Sequence, residues 1–271
     1  MPAPLTVTYI VWPTPQDLAL ASARLFAGKA EEAVAKRGIA RIAISGGSTP
    51  QAAFKLLADP AQPFANTIPW DRLQLYWVDE RCVPPDHPDS NYGVCKKLLL
   101  DNVPIPPANV HRMEGELDPE EAASRYESEL RNTMRLEGAE SPAFDLLLLG
   151  MGDDGHTASL FPNTDGLNEI GRLAIANHVP QKDTWRITLT WPVINQAREV
   201  AFEIAGAAKT DVVAEVFTGP RDPERLPSQL IRPSSGRLLV QLDEIAAAKL
   251  PSCTELSTGP EGNRRVGTLE I

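Results

Sequence analysis

The chain has 271 residues, with 26 Lys and Arg against 36 Asp and Glu, a net charge of −10 and a pI near 5.0. That balance excludes the clustered basic surface by which proteins hold nucleic acid or an anionic membrane, but not a few cations converging on a small anionic ligand. Its length suits one large α/β domain or two small ones, and three scattered cysteines, Cys82, Cys95 and Cys253, form neither a disulfide framework nor a zinc pattern, which fits a reducing cytoplasm.

Residues 6–12 alternate and are rich in β-formers, as an edge strand would be. Thr14 and Pro15 then start a helix that should stop near Gly38. The run IARIAIS reads as a buried strand entering GGSTP and an amphipathic segment at 51–57. Strand, glycine-rich turn and helix together aim backbone N–H groups and a positive helix end at one spot, a general means of holding phosphate. Neither the P-loop lysine nor the dinucleotide spacing is present.

LQLYWVD is the next strand, and Asp79, Glu80 and Arg81 follow at its carboxyl end. A proline-rich loop leads to Ser90, suited to cap a helix over 91–100. Asp118 and Pro119 open another helix reaching Met134. The central stretch, FDLLLLGMGDDGHTASLFP at 144–162, passes from a pure apolar run straight into glycines, acids and His156. In open α/β sheets ligands bind at the carboxyl ends of strands, so His156 is the leading candidate for a catalytic base. Gly150, Gly152 and Gly155 match G-x-G-x-x-G, but Asp153 and Asp154 would repel a pyrophosphate and Pro162 leaves little room for the helix that motif opens. A metal held by Asp153, Asp154 and His156 would need ligands from elsewhere, so neither a resident metal nor a cofactor is expected.

Strands are expected over 173–179, 186–190 and 199–204, with a short turn or helix at 192–196. Gly206 opens a helix that sets Lys209 in its first turn, where a lysine opposes the dipole unless an anion binds there. A strand at 238–242 and a closing helix at 243–249 complete a domain of residues 1–250. Residues 251–271, rich in Pro, Gly, Ser and Thr, read as an irregular C-terminal tail. No run approaches the ~20 apolar residues of a membrane span, and the first residues lack the basic region of a secretion signal.

ISGGSTP at 44–50, VDERCVPPDHPDSNYG at 78–93, LLGMGDDGHTASLFP at 148–162, WRITLTWPVINQA at 185–197, AGAAK at 205–209 and LPSQLIRP at 226–233 resemble, in order, the motifs of the 6-phosphogluconolactonase family. The resemblance implies a mainly parallel sheet flanked by helices with a smaller subdomain, a Rossmann-like α/β fold shared with glucosamine-6-phosphate deaminases and ribose-5-phosphate isomerases. It also implies hydrolysis of 6-phospho-D-glucono-1,5-lactone in the pentose phosphate pathway. His156 would be the base and Asp154 its orienting partner. Ser45, Gly46, Gly47, Ser48 and Thr49, with Asp79, Arg81, Arg186 and Lys209, would hold the substrate, and a Gly46 or Gly47 N–H would face the oxyanion. Related deaminases carry a glutamate five residues after the histidine; here Phe161 stands there, against amino-sugar ring opening.

Overall fold

The structure, a computed structural model, describes residues 5–271 except 139, 254, 260 and 261. In chain order its strands are β1 (Thr6–Trp12), β2 (Ala40–Ile44), β3 (Leu73–Trp77), β4 (Asp79–Arg81), β5 (Val110–His111), β6 (Leu146–Leu149), β7 (Ala174–Val179), β8 (Thr184–Leu189), β9 (Glu199–Ile204), β10 (Arg237–Asp243), β11 (Glu255–Gly259) and β12 (Gly262–Glu270). The α-helices are α1 (Pro15–Arg37), α2 (Ser48–Leu57), α3 (Asn91–Leu98), α4 (Pro119–Met134), α5 (Trp191–Ile194) and α6 (Thr210–Thr218).

Among the described residues the main sheet has nine strands in the order β11-β12-β1-β10-β9-β6-β2-β3-β5, parallel from β1 to β5. Every residue of β6 is buried, as a strand covered on both faces must be. Helices lie on both faces. Lys29 of α1 pairs with Glu199 of β9 at 2.8 Å, so positions 199, 201 and 203 face α1, while Phe202 on the opposite face meets Phe217 of α6 with ring centroids 6.0 Å apart. The helix ends follow their sequence signals: Thr14 accepts from the Asp17 N–H at 3.1 Å at the start of α1, and Gly38, at φ +75°, ends it.

The smaller subdomain is a three-stranded antiparallel sheet, β4-β8-β7, that grows from the continuation of β3. From β2 the chain builds outward to β3 and β5, then returns to β2's other side with β6, β9 and β10. That reversal leaves a crevice between the carboxyl ends of β2 and β6.

Three expectations need correction. The tail is not irregular: β11 and β12 form an antiparallel pair, and β12 adds to β1, extending the domain through Ile271. Consequently β1 is an interior strand. A sheet margin is held by backbone pairing and needs few apolar side chains, so composition missed it; Gly267 of β12 lets Tyr9 cross where a Cβ would lie 2.3 Å from its ring. After β10, finally, residues 244–249 form successive turns instead of a helix, with i+4 bonding (Ala247 N–H to Asp243 O, 3.1 Å) giving way to i+3 (Ala248 N–H to Ile245 O, 3.3 Å).

Candidate active site

The loops after β2, β3, β6 and β9, four adjacent strands, surround a cavity of about 340 Å³. Ser45, Gly46, Gly47, Ser48, Thr49, Asp79, Arg81, His156, Arg186 and Lys209 all line it, so the structure brings together every sequence-derived candidate except Asp154. Asp154 stands one layer back: its Oδ1 lies 2.5 Å from His156 Nδ1 and also accepts the His156 backbone N–H at 3.0 Å. Burial pushes that carboxyl up, but the hydrogen bond and charge of His156 outweigh it and hold the group at about 2. An ionised carboxylate on Nδ1 fixes the proton there and leaves Nε2 as the basic nitrogen. Among the described residues no protein group hydrogen-bonds Nε2, and Phe161 stacks on the imidazole with centroids 4.0 Å apart.

The loop carrying His156 is tightly wound. Gly152 N–H donates to His156 O at 2.8 Å, and a Cβ on Gly152 would fall 2.0 Å from His156 Nδ1. Ala158 is left-handed at φ +48°, a conformation that costs about 1–2 kcal/mol for an L-residue and recurs at functional sites. Ser228, from the LPSQLIRP segment, braces the turn: its N–H and hydroxyl both donate to Gly155 O, at 3.0 and 2.8 Å. That motif serves the site without entering it.

The same cavity holds groups suited to an anion. Gly47, at φ +122°, precedes α2, whose first turn has no side-chain cap and borders the cavity. Arg81 and Arg186 are paired residues of β4 and β8, and Lys209 sits at the start of α6. Burial, and next the charge of Arg81, depresses the Arg186 guanidinium, though an arginine stays charged. The charge of Asp79, whose Oδ2 accepts from Ser159 Oγ at 2.7 Å, compensates only in part. Like charges held together call for an anion between them. The VDER turn is rigid: Glu80, 1% exposed, accepts the N–H groups of Arg81, Asn91 and Tyr92 at 2.7–2.8 Å and so caps α3.

Sequence reading missed four lining residues with polar side chains. Asn91 ties the walls together, its Nδ2 donating to Asp79 O at 2.9 Å and its Oδ1 lying where a Gly46 Cβ would be, 1.7 Å away. Lys182, in the turn between β7 and β8, reaches the rim with Nζ 5.8 Å from the Phe161 ring centroid. Ser159 and Glu203 complete the set. Among the described residues no three His, Cys, Asp and Glu side chains are grouped to hold a metal ion.

A family model described as glucosamine-6-phosphate isomerases/6-phosphogluconolactonase matches residues 13–240. The chain belongs to this family. It is 43% identical over 220 residues to a 6-phosphogluconolactonase of Synechocystis sp., covering 81% of this chain and 88% of that protein. A 6-phosphogluconolactonase of Nostoc sp. is 41% identical over 90% of this chain and 98% of its own. Among solved structures, 6-phosphogluconolactonase from Trypanosoma cruzi superposes with a TM-score of 0.76 at 27% identity, over 89% of this chain and 96% of that one. The family match, from just before α1 into β10, includes every cavity-lining residue and excludes the β11–β12 pair.

Proposed function

We propose that this chain is a 6-phosphogluconolactonase, adding water to 6-phospho-D-glucono-1,5-lactone to give 6-phospho-D-gluconate in the second step of the oxidative pentose phosphate pathway. The observation that carries the reading is one imidazole, held by Asp154 at 2.5 Å, lining the same cavity as Arg81, Arg186 and Lys209. Arg81, Arg186 and Lys209, with the first turn of α2, hold the phosphate; an arginine can grip it through two parallel N–H bonds. His156 Nε2 takes a proton from water as the water oxygen bonds to the lactone C1. A Gly46 or Gly47 N–H receives the developing oxyanion. As the tetrahedral carbon collapses, its bond to the ring oxygen breaks and the imidazolium returns the proton to that oxygen. Ring opening thus leaves the base ready for the next turnover.

Phe161 supports the lactonase over the deaminase reading, because an apolar ring stacked on His156 cannot relay a proton to an amino sugar. Net charge −10 and three free cysteines support a cytoplasmic enzyme whose partner is the small substrate, with no nucleic acid or membrane bound; no described helix is long and apolar enough to cross a membrane. The test is to add the protein to freshly generated lactone and follow acid release. Release well above the spontaneous rate, with unphosphorylated gluconolactone a poor substrate, is the expected result; an unchanged rate refutes the proposal.

A further inference from the structure

Lys182 takes no part in the hydrolysis just described. It lies in the short turn Pro180–Lys182 that joins β7 to β8, is exposed, and lines the active-site cavity. That turn is fastened to the segment that follows His156. Gln181 Nε2 donates to Pro162 O at 2.7 Å, and on β7 Asn177 Nδ2 donates to Ser159 O at 2.9 Å and to Thr164 Oγ1 at 3.0 Å. Asp183, left-handed at φ +46°, closes the turn by donating its N–H to Pro180 O at 3.2 Å. The lysine is therefore presented from a fixed base, on a flexible four-carbon stem. Its ammonium lies 5.8 Å from the centroid of the Phe161 ring, within cation–π range, and the same ring stacks on His156 at 4.0 Å. Among the described residues no carboxylate pairs with it. The other cations of the cavity are placed differently. Arg81 and Arg186 are cross-strand partners, Arg81 Nη1 donating to Asp89 O at 2.6 Å and Arg186 Nη1 to Thr184 Oγ1 at 2.8 Å, and Lys209 comes from the start of α6.

The reaction changes charge at one end of the substrate only. The lactone is neutral at C1, whereas the product carries a carboxylate there, at the far end of the carbon chain from the phosphate. Water attacks C1 beside His156, so the new carboxylate forms on the imidazole's side of the cavity. The cation next to the ring that packs on that imidazole is Lys182. We infer that Lys182 is a carboxylate-binding residue of this site, its ammonium pairing with the C1 carboxylate of 6-phosphogluconate and so distinguishing product from lactone. The inference rests on the lactonase reading for its ligand. Since the ammonium stays in water, the pair has the strength of an exposed ion pair, about a fivefold effect on Kd at the upper end of that range.

Calorimetric titration with 6-phosphogluconate and with glucitol 6-phosphate, which has the same carbon chain and phosphate but an alcohol at C1, separates the two ends of the ligand. Lys182→Met keeps the apolar stem and removes the charge. It should weaken 6-phosphogluconate binding about fivefold and glucitol 6-phosphate binding by less than about twofold. In steady-state assays it should raise the inhibition constant of 6-phosphogluconate by a larger factor than the KM for the lactone. Equal losses for the two ligands would put Lys182 at the phosphate or in the general field of the cavity, and no loss for either would put it outside the site; each overturns the inference. If the variant does not fold, wild type alone decides, because equal wild-type Kd values for the two ligands also overturn it. Failure of wild type to bind either ligand is a different result: it counts against the lactonase reading, and the inference falls with it.

Discussion

His156 and Glu203 mark the two ways a single side chain matters in this molecule. His156 has a partner, the Asp154 carboxylate at 2.5 Å, whereas neither Glu203 carboxyl oxygen has one among the described residues. The consequence for stability has a definite sign. Glu203 ionises at about 7 in the folded protein against an ordinary 4.5, so between those values the native state binds more protons than the unfolded chain. Its stabilising share is complete below the unfolded value and is lost as pH rises through the folded one. Glu203→Gln should therefore be more stable than wild type above pH ~8, by on the order of 3 kcal/mol, with the difference shrinking toward pH ~5; urea unfolding at both pH values measures it. The cationic wall yields a second expectation. Arg81→Ala and Lys209→Ala should each weaken 6-phosphogluconate binding by about 1.5–3 kcal/mol, the range for a hydrogen bond to a charged group, while unchanged Kd and KM in both would move the phosphate elsewhere.

At the scale of elements, the site depends on turns that fit only certain backbones. Gly152 passes so close to the imidazole that a Cβ would lie 2.0 Å from Nδ1 and 2.5 Å from Asp154 Oδ1. In Gly152→Ala the His156–Asp154 pair must shift, so kcat should fall by roughly 10²-fold, the scale of a misplaced catalytic group, with little change in the Kd for 6-phosphogluconate. Steady-state kinetics and calorimetry separate the two. The strand-to-loop switches that build the site were legible in the sequence for a physical reason: a strand buried on both faces must be apolar, so the abrupt change from LLLL to GMGDDGH marks its ligand-facing end. Lys182 was not legible. It reaches the cavity through the antiparallel pairing of β7 with β8, and period-2 patterning does not say which strands pair. Glu203 was hidden too, because EVAFEI places its two acids, Glu199 and Glu203, on one face, as a half-exposed strand would, although every residue of β9 is buried.

For the whole molecule, order along the chain and order in the sheet differ, and that difference builds the site. The crevice exists because β2 has neighbours added first on one side and later on the other, a strand order that local patterning could not give. The last strands are a second lesson. Residues 262–270 contain few apolar side chains yet close the sheet on β1, with Thr6 to Val11 registered against Glu270 to Arg265. Tyr9 Oη adds a hydrogen bond to Pro251 O at 2.7 Å. Removing residues 254–271 should expose the β1 edge and lower Tm by several degrees, about 2–4 °C for each kcal/mol lost in a domain of this size. Calorimetry and light scattering would detect the lower transition and edge-to-edge association; an unaltered Tm would mean the added strands contribute nothing to the core.

The proposed hydrolysis turns on His156, set by Asp154, acting as the base. Its most direct test is the rate of acid release from fresh 6-phosphogluconolactone, corrected for spontaneous opening, for wild type and His156→Ala before and after exhaustive treatment with a strong chelator. The expected result is a wild-type rate unaffected by chelation and a variant slowed by ~10²–10⁴-fold that still binds 6-phosphogluconate. Full activity in His156→Ala, or wild-type activity lost to the chelator and restored by added metal, would contradict it.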